Sequence, residues 1–120
     1  MADSHLLGAR GEDVAARFLE RRGWRILERN YRFGHREIDL IARRGRTVAF
    51  VEVKTRSRLR WGHPLLAIDA RKRYEIERVA RVWLERHGRR GDECRFDAIA
   101  IYRDAGDKLR VEQIEDAWRL

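Results

Sequence analysis

The segment from Arg44 to Lys54 limits what this chain can fold into more than any other. Thr47-Val48-Ala49-Phe50-Val51 is apolar and largely β-branched, the pattern of a buried strand. It runs directly into Glu52-Val53-Lys54. Successive side chains on a strand point to opposite faces, so Glu52 and Lys54 share a face and Val53 turns away. Upstream, Glu37 to Ala42 reads as a second strand, and Arg44-Gly45 is a tight-turn signal between the two. The segment is therefore a hairpin with charged groups at the open end of a buried ladder.

With Arg44-Gly45 at the tip, positions summing to about 89 oppose one another. Phe50 then faces Asp39, and Glu52 faces Glu37. A register shifted by two puts Glu52 opposite Asp39 instead. Either way Glu37, Asp39, Glu52 and Lys54 fall on one sheet face. A one-residue slip would undo this. Opposed like charges are destabilising, and two remedies exist: one carboxyl keeps its proton, or a cation sits between them. Asp and Glu oxygens with water suit Mg²⁺ or Mn²⁺. Taken alone, Glu52 and Lys54 read as a structural ion pair. Only three of the 28 basic residues are lysine, however: Lys54, Lys72 and Lys108. A compact ammonium beside Glu52 therefore stands out in an arginine-rich chain.

The remaining elements build one α/β unit spanning residues 1–120, of the order α-β-β-β-α-β-β. Gly8 to Arg22 carries Val14, Ala15, Phe18 and Leu19 at helical spacing, and Gly23 stops it. Trp24 to Phe33 alternates as a strand. Residues 57–68 form a loop with Trp61, His63 and the only proline. Asp69 is placed to cap a helix to about His87, striped by Ile76, Val79, Ala80, Trp83 and Leu84, and Gly88 ends it. Arg95 to Tyr102 and Leu109 to Ile114 are the last strands. A mixed sheet of about five strands flanked by helices follows.

Charge points to the partner. Residues 54–90 hold twelve Lys or Arg against four Asp or Glu, which accounts for the whole net charge of +8. A local basic surplus next to a carboxylate cluster implies a polyanion, with nucleic acid first. Arg56, Arg58 and Arg60 alternate past Lys54, and Arg71, Lys72 and Arg73 open the second helix, where backbone N–H groups also favour anions. An exposed solvated arm is the other reading of the first three. Trp61 reads as sheet packing, with base stacking as its alternative. Asp97 reads as a structural partner of Arg95. Cys94 reads as a buried structural thiol, and a single cysteine excludes an intrachain disulfide or cysteine-cluster metal site. The four histidines lack metal-ligand spacing. No apolar run approaches the roughly 18 residues of a membrane span, and Met1 to Leu7 lacks leader character, so a cytoplasmic protein with no membrane partner is expected.

Several segments together resemble a known family. They are Gly8-Ala9-Arg10-Gly11-Glu12, Gly23-Trp24-Arg25-Ile26-Leu27 with Asn30-Tyr31-Arg32, Glu37-Ile38-Asp39-Leu40-Ile41-Ala42, Phe50-Val51-Glu52-Val53-Lys54-Thr55-Arg56, Lys72, and Arg95-Phe96-Asp97. In this order they resemble the small bacterial YraN-like family. That family is similar to archaeal Holliday-junction resolvases and the restriction-endonuclease-like PD-(D/E)xK nucleases. The resemblance implies that fold, and a Mg²⁺- or Mn²⁺-dependent endonuclease of branched or structured DNA. It implies Asp39, Glu52 and Glu12 as metal ligands and Lys54 as the active-site lysine. Arg36 departs from the glycine the family usually has there. A nucleic-acid-binding module without turnover is the alternative on the same scaffold. Resolvase-like enzymes act as dimers, so a homodimer is implied, with Trp24, Tyr31, Phe33 or Trp118 as a candidate interface patch.

Overall fold

The computed structural model describes residues 2–56 and 68–118, with side chains from Gly11 onward. Two helices and five strands follow the expected order: α1 (Ala2–Arg21), β1 (Arg25–Phe33), β2 (Arg36–Arg44), β3 (Thr47–Arg56), α2 (Ala70–His87), β4 (Glu93–Arg103) and β5 (Leu109–Trp118). The strands form one sheet in sequential order. Only the β3–β4 pair is parallel, because α2 carries the chain back across the sheet between them.

The sheet separates two apolar layers. Ala15, Leu19 and Trp24 pack with Leu40, Ala42, Ala49, Val51, Ile99 and Ile101 on the α1 side. Ile76, Val79, Ala80 and Trp83 of α2 pack with Ile41, Val48, Phe50 and Phe96 on the other. Each buried Val, Leu, Ile or Phe among them contributes about 1.5–3 kcal/mol of transfer free energy. β3 lies between β2 and β4 and is covered on both faces, which explains why Thr47 to Val51 is continuously apolar rather than alternating.

The β2–β3 turn decides the register. Arg44 pairs with Thr47, so the two-residue loop is Gly45-Arg46, one residue later than the sequence suggested. Gly45 has φ 62° and Arg46 does not have a positive φ. That is the II′ pattern, with glycine at the first central position. Partners therefore include Ile41 with Phe50 and Leu40 with Val51, and the expected pairing of Phe50 with Asp39 is corrected. The register shifted by two is the one adopted, and it leads Asp39 toward Glu52.

Two strands depart from simple alternation. β1 slips register between Ile26 and Glu28, and Asn30 takes φ 52°. Glu28 is thereby turned to accept from Trp83 Nε1 at 3.1 Å. β5 runs four residues past its expected end at Ile114, to Trp118. The fully buried Asp97 carboxylate takes two bonds from Arg95, one from Gln113 Nε2 at 2.9 Å and one from the Asp116 N–H at 2.9 Å. This hub ties down the irregular end of β5, and Trp118 stacks on Phe96 with centroids 5.2 Å apart. The interface patch expected at Trp24 is corrected, because that ring is only 3% exposed, while Trp118 is half-buried.

Candidate functional site

The site forms where the β2–β3 ladder opens. Its last backbone partners are Leu40 and Val51. The next pair in this register would be Asp39 and Glu52. Instead the Asp39 side chain takes a backbone role, its Oδ2 accepting from the Val53 N–H at 2.8 Å. A carboxylate wedged there holds the strands apart and stands beside Glu52. Glu52 itself is 2% exposed. Its parallel neighbour on β4 is Ala98, and that of Lys54 is Ala100, so small side chains line the floor there.

Two ammonium groups converge on Glu52. Lys54 Nζ lies 3.7 Å from Glu52 Oε2, and Lys72 Nζ lies 3.3 Å from the same atom. Lys72 gets there because Asp69 caps α2, accepting from the Lys72 N–H at 2.9 Å. The cap fixes the helix start directly over the acidic end of β3. Glu52 Oε2 is buried, yet neither contact gives it a well-formed hydrogen bond. Charge alone satisfies it, an expensive state for a buried oxygen.

The electrostatics couple these groups. Burial pushes the Asp39 carboxyl up to about 8, reinforced by a hydrogen bond shared with Glu52 and by Glu52's charge. The Val53 N–H and Lys72 oppose the rise. The Asp39 carboxyl therefore keeps its proton near neutral pH. Burial pulls the Lys72 ammonium down, but Glu52, Asp39 and Glu75 together outweigh it and the net is upward. Glu12, on α1, is also raised, first by burial and then by Asp39, while Asn30 and Arg29 lower it. Glu12 thus lies within electrostatic reach of Asp39. Gly11 makes that possible, because a Cβ there would overlap Thr55 Cγ2 and push α1 off β3.

Of the residues singled out in the sequence, Glu12, Asp39, Glu52 and Lys54 come together here. Glu37, expected on the same face, ion-pairs with Arg32 at 3.2 Å, and its charge adds to the rise at Glu12. Lys72 was expected among phosphate contacts and lies against Glu52. The signal for this was its rarity, since two of the chain's three lysines meet at one carboxylate. Arg71 is exposed and pairs with Glu75 at 3.6 Å, and Arg73 stands over the Trp118 ring at 5.4 Å. Arg56 donates to the Thr55 carbonyl at 2.8 Å. Arg58, Arg60, Trp61 and His63 lie outside the described residues. Asp97 is the structural group it was read as, Trp83 is core, and Cys94 is half-buried with its thiol pushed up by burial.

This set of residues can be compared with known proteins. The model of a family described as "Uncharacterised protein family UPF0102" matches residues 11–101, a span holding Glu12, Asp39, Glu52, Lys54 and Lys72. The chain belongs to UPF0102. The match bears out the YraN-like resemblance. A UPF0102 protein of Chlorobium phaeobacteroides is 48% identical over 100 residues, covering 83% of this chain and 79% of its own. One from Geobacter sulfurreducens is 45% identical over 115 residues, covering 96% and 90%. One from Rhodococcus jostii is 42% identical over 118 residues, covering 98% and 100%.

In this UPF0102 member a divalent cation would fit between Asp39 and Glu52. The buried Oε2 has no hydrogen-bond partner, and the raised Asp39 carboxyl marks a place where one more positive charge is favoured. Among the described residues no three His, Cys, Asp or Glu side chains form a closed cage. Two carboxylates supply the hard oxygen donors that Mg²⁺ takes. Among the described residues no helix is long and apolar enough to cross a membrane.

Proposed function

We propose that this UPF0102 member is a metal-dependent endonuclease hydrolysing phosphodiester bonds in DNA, with branched or otherwise structured DNA as its substrate. The observation that carries the reading is the meeting of Asp39, Glu52, Lys54 and Lys72 at the opening of the β2–β3 ladder. A mixed sheet of this strand order, with an Asp at the hairpin mouth and Glu-x-Lys on the next strand, supports placement among the PD-(D/E)xK nucleases. Asp39 and Glu52 would hold Mg²⁺ or Mn²⁺, with Glu12 contributing from α1. The ion supplies Lewis acidity toward the scissile phosphate and its attacking water.

The chain's own groups do the rest. Lys54 is positioned to orient the water and stabilise charge growing on the phosphate oxygens. Lys72, whose ammonium lies 3.3 Å from Glu52 Oε2, would offer a second phosphate contact beside the carboxylates. Water adds to phosphorus and gives up a proton, the bond to the leaving oxygen breaks, and that oxygen takes up a proton in turn, so the proton count is unchanged. The basic residues Arg56, Arg58, Arg60, Arg71 and Arg73 lie in the same stretch of chain and supply backbone phosphate contacts. A homodimer is part of this reading, since symmetric cutting of two strands needs two sites.

The test is cleavage of plasmid and four-way-junction DNA with Mg²⁺ or Mn²⁺. Wild type should cut, while folded Glu52→Ala and Lys54→Ala variants should not. Robust cutting by both variants removes the site assignment. Salt-dependent binding without cleavage on any substrate would favour a nucleic-acid-binding module instead.

A further inference from the structure

A second feature lies on the outer face of α2. Tyr74, Arg78 and Arg81 recur at i, i+4 and i+7, so they share one side of the helix. With Val82 and with Phe33 at the end of β1 they line a groove of about 350 Å³. Both rings are unusually open for aromatics, Phe33 at 38% and Tyr74 at 55%. Each has a guanidinium over it: Arg78 lies 5.8 Å from the Tyr74 centroid and Arg86 5.7 Å from that of Phe33. Arg78 also donates to the Tyr74 hydroxyl at 3.1 Å, which fixes the ring. No carboxylate lines the groove among the described residues.

Aromatic faces between arginines, with no acid in the lining, are complementary to one ligand chemistry, a flat base on an anionic backbone. The position agrees. Tyr74 is two residues along α2 from Lys72, about 3 Å of helical rise and about 200° around the helix, and Arg81 lies about 13 Å along, so a strand passing over the helix start connects the two. A strand with one phosphate at Glu52 and Lys72 would reach this groove within a few nucleotides. Paired bases are already stacked on one another and cannot offer their faces, whereas unpaired bases can.

We infer that the Phe33–Tyr74–Arg78–Arg81 groove seats unpaired nucleotides of a single-stranded nucleic acid, with bases on the two rings and phosphates on the two arginines. The inference rests on the phosphodiesterase reading only for the choice of a nucleic-acid ligand. It specifies the substrate class as one with an unpaired segment next to the site.

The test is fluorescence anisotropy of a labelled oligo-dT probe and a blunt duplex of equal length, in chelator at fixed low salt. Wild type should prefer the single strand by roughly tenfold. Phe33→Ala and Tyr74→Ala should each lose several-fold in single-strand affinity and leave duplex binding within twofold. Tyr74→Phe keeps the stacking face and should keep the affinity. Arg78→Ala should weaken both probes and flatten the salt dependence. All are surface positions, and thermal melts confirm the fold. Equal affinity for the two probes, or unchanged single-strand binding in both alanine variants, overturns the groove. A Glu52→Gln variant that keeps the preference while losing cleavage supports the groove and the active site separately. Wild type that cleaves while its aromatic variants bind the single strand normally overturns the groove alone, and absence of any nucleic-acid binding overturns both.

Discussion

Replacing Asp39 by asparagine should stabilise the metal-free protein, and by more as pH rises. In the wild type, burial and Glu52 raise the Asp39 carboxyl from 3.8 to about 8. A carboxyl with a raised folded pKa binds its proton more tightly folded than unfolded. Its contribution to stability is complete below the unfolded value and is lost as pH climbs through the folded one. Asparagine can still accept from the Val53 N–H, bonded at 2.8 Å in the wild type, and it stays neutral at every pH. The advantage of the variant therefore grows by about 1.4 kcal/mol per pH unit across that window. This gives ceilings of roughly 2 kcal/mol near pH 5, roughly 4 near pH 7 and roughly 6 above pH 8. Movement of Lys72 toward the ionised pair lowers them. Urea unfolding followed by fluorescence of the four tryptophans, at three pH values, measures the difference. A gain of at least about 1 kcal/mol near pH 7 that widens with pH is expected. A variant less stable at every pH, or a difference that is flat with pH, would refute the raised Asp39 carboxyl.

Three further outcomes follow from the packing. Lys72→Met leaves Glu52 with Lys54 as its one described cation, and should cost about 1–2 kcal/mol in urea unfolding, with a loss of activity that Lys72→Arg does not fully restore. A stability change near zero would mean Lys72 does not hold Glu52. Asp97→Ala removes the acceptor of four hydrogen bonds in a fully buried position, and should cost about 3–5 kcal/mol while speeding hydrogen exchange along β5. A cost under about 1 kcal/mol would contradict the hub. Gly11→Ala should cost about 1–3 kcal/mol by driving a methyl into Thr55, and Thr55→Ser, which deletes the struck methyl, should recover most of it. Additive losses in the double variant would place the strain elsewhere.

The sequence carried the elements well where one signal dominated. The β3 run, the Asp69 cap, the α2 stripe and the Gly88 stop each appear as read. It failed where a single residue chose between near-equal geometries. Gly45 can be the first or second residue of a two-residue turn, and only the II′ geometry settles the hairpin register. The β1 slip and the Asn30 conformation are set by contacts with Trp83 and α1, which local alternation does not encode. Extension of β5 to Trp118 depends on Asp97, nineteen residues before Asp116. In the site, Asp39, Glu52 and Lys54 were legible from strand period, and Glu12 from the resemblance. The place of Lys72 was not, because it depends on where α2 starts over the sheet.

A divalent-metal titration read by thermal unfolding, on wild type, Asp39→Asn and Glu52→Gln, tests the central claim most directly. Mg²⁺ or Mn²⁺ at a hundredfold over its dissociation constant should stabilise wild type by about 2.7 kcal/mol, on the order of 10 °C in Tm. Near pH 7 it should release close to one proton, the one held by the Asp39 carboxyl. Both variants should melt at the same temperature with and without the ion. An equal shift in Glu52→Gln, or no shift in wild type with either metal, would contradict a cation site between Asp39 and Glu52.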